Sequence, residues 1–362
     1  MNPQHERTVE APLVGALIPA GTEVDITGTT RTVADNGQPN PRAPTRGAPT
    51  SQPPKEDFMD RRQFIKDVFL WSAGATLAVP QFRIIPSALA ADKPQPLLSV
   101  AKGADYAALV SRVLAPLGGM GQFVKAGDKV VIKPNMGWDR KPEQAANTNP
   151  LVVMALASLA LQAGAGKVLI FDRSCNEARR CYANSGIQAA LAGLDDRRLK
   201  IDHMDSRKFV PVQIARGKSL TSWEIYKDAL DADCYINVPV AKHHGLSRLT
   251  LGLKNSMGVI GGNRGDMHHD LGQKLADLAT VVRPKLTVID ATRILLRNGP
   301  QGGDLNDVKQ LDTLIASADP VAADAYATTL FDLQPADIDS TVAAYNMGLG
   351  EMDLAKIKVL TT

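Results

Sequence analysis

The sequence predicts an α/β fold, a mostly parallel sheet covered by helices in a single main domain. Three observations carry this. Four short runs are almost continuously apolar, as strands buried on both faces are. Longer helical patterns alternate with them. The composition is globular, 44% hydrophobic and 22% charged over 362 residues,.

The first run, "KVVIKPN" (129–135), reads as a buried strand ending in a turn at Pro134,. "NPLVVMALASLALQAGAG" follows as a helix, with Pro150 in its first turn and Gly164 near its end,. "KVLIFDR" (167–173), "CYINVPV" (234–240) and "KLTVID" (285–290) are the other three strands. Further helical patterns fall near 103–116, 176–193, 270–282 and 319–331. There is no internal repeat and no G-x-G-x-x-G or G-x-x-x-x-G-K-[ST] loop, so no nucleotide fingerprint is present,.

Each strand ends in polar residues. These are Lys133 and Asn135, then Asp172, then Lys242 and His244 beyond Pro239, then Asp290. Ligands of open α/β sheets bind at the carboxyl ends of the strands. Convergence of these four ends on one edge of the sheet is therefore expected to make a site.

The segment 241–269, "AKHHGLSRLTLGLKNSMGVIGGNRGDMHH", holds four of the six histidines. Lys242, Lys254 and Arg264 lie among them, with Gly258, Gly261 and Gly262. His244 is read as the proton-transfer residue. Nearby cations hold its ring neutral, fit to accept a proton or bind a metal. Lys254 sits in an apolar stretch and needs an anionic partner or a lowered pKa. Thr250 precedes it by four residues, on one face if the segment is helical, although the alternating leucines also fit a strand. Asn255 orients and Arg264 adds positive charge, while the glycines let backbone N–H groups approach a ligand. His268 and His269 stand at a helix start, where one of them, with Asp266 or Asp270, is placed to ligate a divalent cation. The plainer reading is a pair of solvent histidines. Asp319 reads as a helix cap and Asp324 as a ligand-binding residue.

The net charge of +3 and the lack of a Lys/Arg block exclude nucleic acid as a partner,. Three cysteines, Cys175, Cys181 and Cys234, have neither zinc nor ferredoxin-type 4Fe-4S spacing,. They read as small buried side chains, with a Cys175–Cys181 disulfide left open for an exported protein.

Residues 1–58 are rich in Pro, Gly, Thr and Asn and lack an apolar period, so they are expected to stay unfolded or to be a mis-called extension before Met59,. "DRRQFIK" at Asp60–Lys66 resembles a twin-arginine export signal, with Asp60 where Ser or Thr is usual. A mildly apolar stretch, Val68 to Val79, is interrupted by Ser72 and Gly74 and spans a bilayer poorly. Ala88 and Ala90 give a peptidase pattern. Residues 59–90 are thus expected to be a signal peptide and 91–362 the folded protein. The resemblance implies the twin-arginine export machinery as a partner and a periplasmic or secreted location, with no stable membrane span after cleavage.

"VVIKPNMGW", "RPKLTVIDA", "NGPQGG" and "ASADPVAADAYA" resemble, in order, the pattern of domain of unknown function 362 (DUF 362), over roughly residues 97–335. Its most specific element, K-x-H-x(5)-T-x(3)-K-N-x-x-G, falls on Lys242, His244, Thr250, Lys254, Asn255 and Gly258. Many members carry a ferredoxin-like insert, which this chain lacks. The stretch from Cys234 to His269 is also similar in order to lactate racemase. There the corresponding positions would tether a nickel pincer nucleotide (Lys254), ligate the metal (His268 or His269) and transfer a proton (His244). That family's glycines are only partly kept, since Leu249 and Thr250 interrupt them, and likeness of fold does not carry function.

Two function classes follow. One is an enzyme acting on a small anionic molecule held by Lys133, Lys242, Lys254 and Arg264. The other is a non-catalytic metal- or cofactor-binding protein, or an accessory subunit of an electron-transfer system, built on the same residues.

Overall fold

The computed structural model of the chain describes residues 95–362. The expectations that residues 1–58 stay unfolded and that 59–90 form a signal peptide fall outside the described residues.

In chain order the strands are β1 (Leu97–Lys102), β2 (Lys129–Pro134), β3 (Lys167–Ile170), β4 (Leu199–Ile201), β5 (Phe209–Gln213), β6 (Ser222–Tyr226), β7 (Cys234–Val238), β8 (Val240–His244), β9 (Arg248–Thr250), β10 (Leu286–Leu295), β11 (Val308–Ser317) and β12 (Lys358–Thr361). One sheet runs β12-β1-β11-β10-β7-β2-β3-β4, with the β8–β9 hairpin attached to β10. From β10 through β7, β2 and β3 to β4 every pairing is parallel. β11 lies antiparallel to both β1 and β10, and β5 pairs with β6 in a small separate ribbon. The fold is therefore α/β with a mostly parallel sheet and flanking helices, as its sequence predicts.

Local chemistry sets the boundaries. The helix Pro150–Gln162 starts where the Asn149 side chain accepts from the Leu151 N–H, with Pro150 in the first turn,. Asp319 caps the helix Pro320–Thr328 through the N–H groups of Val321 and Ala322,. The run expected to end at Val240 breaks at Pro239, which has no N–H to pair, and gives two strands, β7 and β8,. The pattern at 176–193 becomes two helices, Ala178–Asn184 and Ile187–Ala192. They are broken at Gly186, whose φ is 74°,. The Thr250–Lys254 segment is a strand end followed by the short helix Gly252–Asn255, so the two residues do not share a helical face.

Strand side chains alternate between faces, and this alternation places the site. On one face Val130, Ile132, Val168, Ile170, Ile236 and Val288 pack with the helix Pro150–Gln162. On the other face Val131, Leu169 and Tyr235 pack under Met257, Val259, Ile260 and the helix Leu271–Leu278. Lys133 follows Val131 by two and pairs in register with Asn237, two beyond Tyr235. Both therefore point to the face covered by the segment 252–260. Asp290 follows Val288 by two and lies on the opposite face.

Candidate functional site

A cavity of about 370 Å³ opens at the carboxyl ends of β2, β3, β7 and β8. Of the residues expected there, Lys133, Asn135, Asp172, Lys242, His244, Thr250, Lys254, Asn255, Arg264 and His268 line it. Asp290, Asp324 and His269 do not.

Its floor is a buried polar network. Lys133 Nζ lies 2.9 Å from Asp172 Oδ1, and both side chains are almost wholly enclosed. The same ammonium donates to Asn255 Oδ1 at 2.7 Å. Asp172 Oδ2 accepts from the Met136 N–H at 2.6 Å. Burial pulls the Lys133 pKa down, and the Asp172 carboxylate opposes it,. Asn255 has all its polar capacity in use: Oδ1 also accepts from Asn135 Nδ2 at 3.1 Å, and Nδ2 donates to Asn237 Oδ1 at 2.8 Å. Asn255 is thus a strut between β2 and β7.

Gly258 completes this floor. A Cβ there would stand 1.9 Å from Asp172 Oδ1 and 2.3 Å from Lys133 Cε. The glycine makes room for the ion pair, not for a ligand's approach to the backbone. Likewise the Gly262 N–H is taken by Glu224 at 2.9 Å, and Gly261 packs on Glu224 and Phe209.

The upper wall is cationic. Lys242 donates to the Ala146 carbonyl and to Asn135 Oδ1. Its pKa is lowered to about 7, chiefly by burial, and Lys254 adds to the effect. Arg264 donates to the carbonyls of Arg173 at 2.7 Å and Ser174 at 2.9 Å. Arg173 donates to the Ile260 carbonyl at 2.8 Å. These bonds to neutral acceptors fix the guanidinium groups, and Glu224 behind the wall offsets part of the Arg173 charge. Lys254 makes no hydrogen bond or ion pair within the described residues. Its pKa is lowered to about 8 by burial first, with Arg264 and Lys133 adding to it.

His244 is held by its own turn. Its Nδ1 accepts from the N–H groups of Leu246 at 3.1 Å and Ser247 at 3.3 Å. Burial, then Lys254 and Lys242, lower its pKa to about 3, so the ring is neutral at pH 7. An Nδ1 that accepts leaves the ring proton on Nε2. The side chain expected to take a proton is set up to donate one hydrogen bond.

Two expected ligand residues belong to the scaffold. The Asp290 carboxylate accepts from the Asn149 N–H at 2.7 Å, the Thr292 N–H at 2.9 Å and Thr292 Oγ1 at 2.7 Å. It ties β10 to the start of the helix Pro150–Gln162, because strand alternation sends it to the far face. Asp324 accepts from the N–H groups of Gly252 at 2.6 Å and Leu253 at 2.9 Å. It fixes the start of the short helix that carries Lys254 and Asn255. Burial raises its pKa to about 7 against those bonds.

The histidine pair separates. His268 lies at the cavity mouth, with Nδ1 3.1 Å from the Gly265 carbonyl. His269 is exposed and outside the cavity. His268 ends a 3-10 turn, Arg264–His268, His269 follows it, and the helix itself begins at Leu271. Among the described residues no three His, Cys, Asp or Glu side chains cluster as a metal site requires.

Three residues at or beside the site were not singled out as such from the sequence: Trp138 and Cys175, which line the cavity, and Asn237, which accepts from Asn255. Cys175 is exposed and lines the cavity, against the expectation of three buried thiols, and all three cysteines are free. Asn237 was visible as the lone polar residue inside an apolar strand.

A mostly parallel sheet with flanking helices and a cationic cavity at its strand ends defines an α/β protein. The chain belongs to the family described as Domain of unknown function (DUF362), whose model matches residues 130–329. A thylakoid-associated protein of Synechocystis sp. is 33% identical over 253 residues, covering 66% of this chain and 73% of that protein. A Thermotoga maritima crystal structure aligns with a TM-score of 0.43 at 12% identity, over 64% of this chain and 60% of that one. The lactate racemase apoprotein of Thermoanaerobacterium thermosaccharolyticum aligns with a TM-score of 0.38 at 14% identity, over 62% and 55%. The chain spans less than two thirds of either solved chain.

Proposed function

We propose that this protein, exported by its Arg61-Arg62 signal, binds a small carboxylate- or phosphate-bearing molecule in the cavity and moves a proton on it. One observation carries the reading. Lys133, Arg173, Lys242, Lys254 and Arg264 line the cavity against a single carboxylate, Asp172, and that carboxylate is already paired with Lys133. Several cations therefore face one small space without an internal counter-ion. In a partly desolvated site such charge favours an anion strongly.

The division of labour differs from the sequence expectation. His244 is a fixed neutral donor for an oxygen of the ligand. Lys254, with its pKa near 8, is the group that gains and loses a proton at working pH. Arg173 and Arg264 supply standing positive charge, and Lys242, with its pKa lowered to about 7, adds to it as the pH falls.

Calorimetric titration tests this, using mature protein from the periplasmic fraction, whose N-terminus should read near Ala91. Phosphate and oxalate are the probes, in low salt at pH 7. Binding should weaken with salt and weaken again above pH 8 as Lys254 loses its proton. Lys254→Met should reduce affinity by about 10- to 100-fold, the worth of one charge-assisted bond. No binding of either anion, or equal affinity in the variant, would overturn the proposal.

A further inference from the structure

Three lysines line the cavity, and their partners differ. Lys133 has Asp172 and Asn255. Lys242 has the Ala146 carbonyl and Asn135. Both ammonium groups are tethered by acceptors and cannot leave them cheaply. Lys254 has no acceptor among the described residues. Its backbone is nevertheless held, because Asp324 grips the two N–H groups that open its helix. A fixed Cα with an untethered amine is the geometry of a side chain that must reach and react.

We propose that Lys254 is a nucleophile that condenses with the carbonyl of a small carboxylate-bearing ketone or aldehyde, of the 2-oxo acid class, to form a Schiff base. This rests on the anion-binding reading above and names the substrate class within it. Three features of the site fit that class. The remaining cations attract the carboxylate. Among the described residues the His244 ring has partners only at Nδ1, so its Nε2–H is available to the carbonyl oxygen. Leu246, Met257 and Pro300 give the cavity apolar lining for a short carbon chain,.

The step balances without a further reactant. The neutral amine of Lys254 attacks the carbonyl carbon, and a C–N bond forms as the carbonyl π pair moves to oxygen. That oxygen collects two protons and leaves as water. Taken from the ammonium form, the products are one protonated imine and one water. The attack needs the free base, and an amine kept among cations in a partly desolvated site supplies it near neutral pH. The protonated imine then withdraws electrons from the neighbouring carbon, which would lower the barrier to removing a proton or carboxylate there.

The experiment uses the full chain with pyruvate and glyoxylate as probes and cyanoborohydride to reduce any imine. Intact mass should show a single adduct of each acid, and peptide mapping should place it on Lys254. Excess oxalate, which carries the carboxylates without a reactive ketone, should suppress it at least tenfold. Lys254→Arg keeps a cation of similar reach but lacks the nucleophile. It should give no adduct, and oxalate binding by the wild type, measured alongside, reports on the anion site independently. If wild type binds oxalate but forms no adduct, the Schiff base is wrong and the anion site stands. If it binds neither oxalate nor phosphate and forms no adduct, both readings fall. Adducts spread over several lysines and indifferent to oxalate would overturn the proposal as well.

Discussion

The floor and the upper wall of the cavity are built from the same residue types and behave in opposite ways. On the floor Lys133, Asp172, Asn135 and Asn255 satisfy one another, and Gly258 is shaped around them. On the wall Lys254 has no partner among the described residues, and the cations beside it bond there to neutral acceptors. Buried polar groups are normally paired, and an unpaired one is costly. The floor obeys that rule and so holds the fold together. The wall differs, since Lys254 is only partly buried, and on the proposed reading an outside anion completes its pairing,.

The sharpest way to break this contrast is at the floor. Asp172→Asn removes the counter-charge of an enclosed ammonium, and the loss should be about 3–5 kcal/mol of unfolding free energy. Urea denaturation followed by circular dichroism checks it. A midpoint equal to wild type would mean that the pair is not what braces β2 and β3. Gly258→Ala should follow, at about 1–3 kcal/mol, because the new methyl group must displace the pair from the space it occupies. If alanine is tolerated without loss, the floor is looser than its contacts imply.

The wall should respond with the opposite sign. Lys254→Met exchanges an uncompensated ammonium for an apolar chain of similar length. At pH 7 it should stabilise the protein by about 1–2 kcal/mol. A fall in pKa from 10.5 to about 8 sets the upper bound at about 1.36 kcal/mol per unit, and partial exposure reduces it. The unfolded chain keeps this proton up to pH 10.5, whereas the folded chain releases it near pH 8. The burden on wild type is therefore full below pH 8 and disappears as the pH rises toward 10.5. Melting curves across that range should converge. A variant less stable than wild type at pH 7 would make Lys254 a structural residue and end the comparison.

Much of this was legible in the sequence, and the reason is periodicity. Continuous apolar runs marked β2, β3, β7 and the first half of β10, since strands covered on both faces have no polar alternation. The helix start at Pro150 and the cap at Asp319 were visible as well, because both are chemistry among residues a few positions apart. β1, β11 and β12 were missed: their pairings are antiparallel or at the sheet edge, and β11 begins with the polar stretch Val308–Asp312. The motif from Lys242 to Gly258 gathered nearly half of the cavity lining, because the β8–β9 hairpin and one short helix keep it local.

What only the tertiary structure decided was the partner of each charge. Sequence set Asp290 and Lys133 at two strand ends with equal standing. Strand alternation, read against the neighbouring strand's register, sent one to the far face to hold a helix and the other to the floor of the site. Asp324 was similarly claimed by two backbone N–H groups from the segment beginning at Gly252, across a long separation in the chain. Lys254 was left without a partner, and His244 had its Nδ1 taken by its own turn. Residue type and spacing determine which groups can be buried together. Whether a buried charge is satisfied depends on atoms brought near it from distant parts of the chain, and that separates scaffold from site.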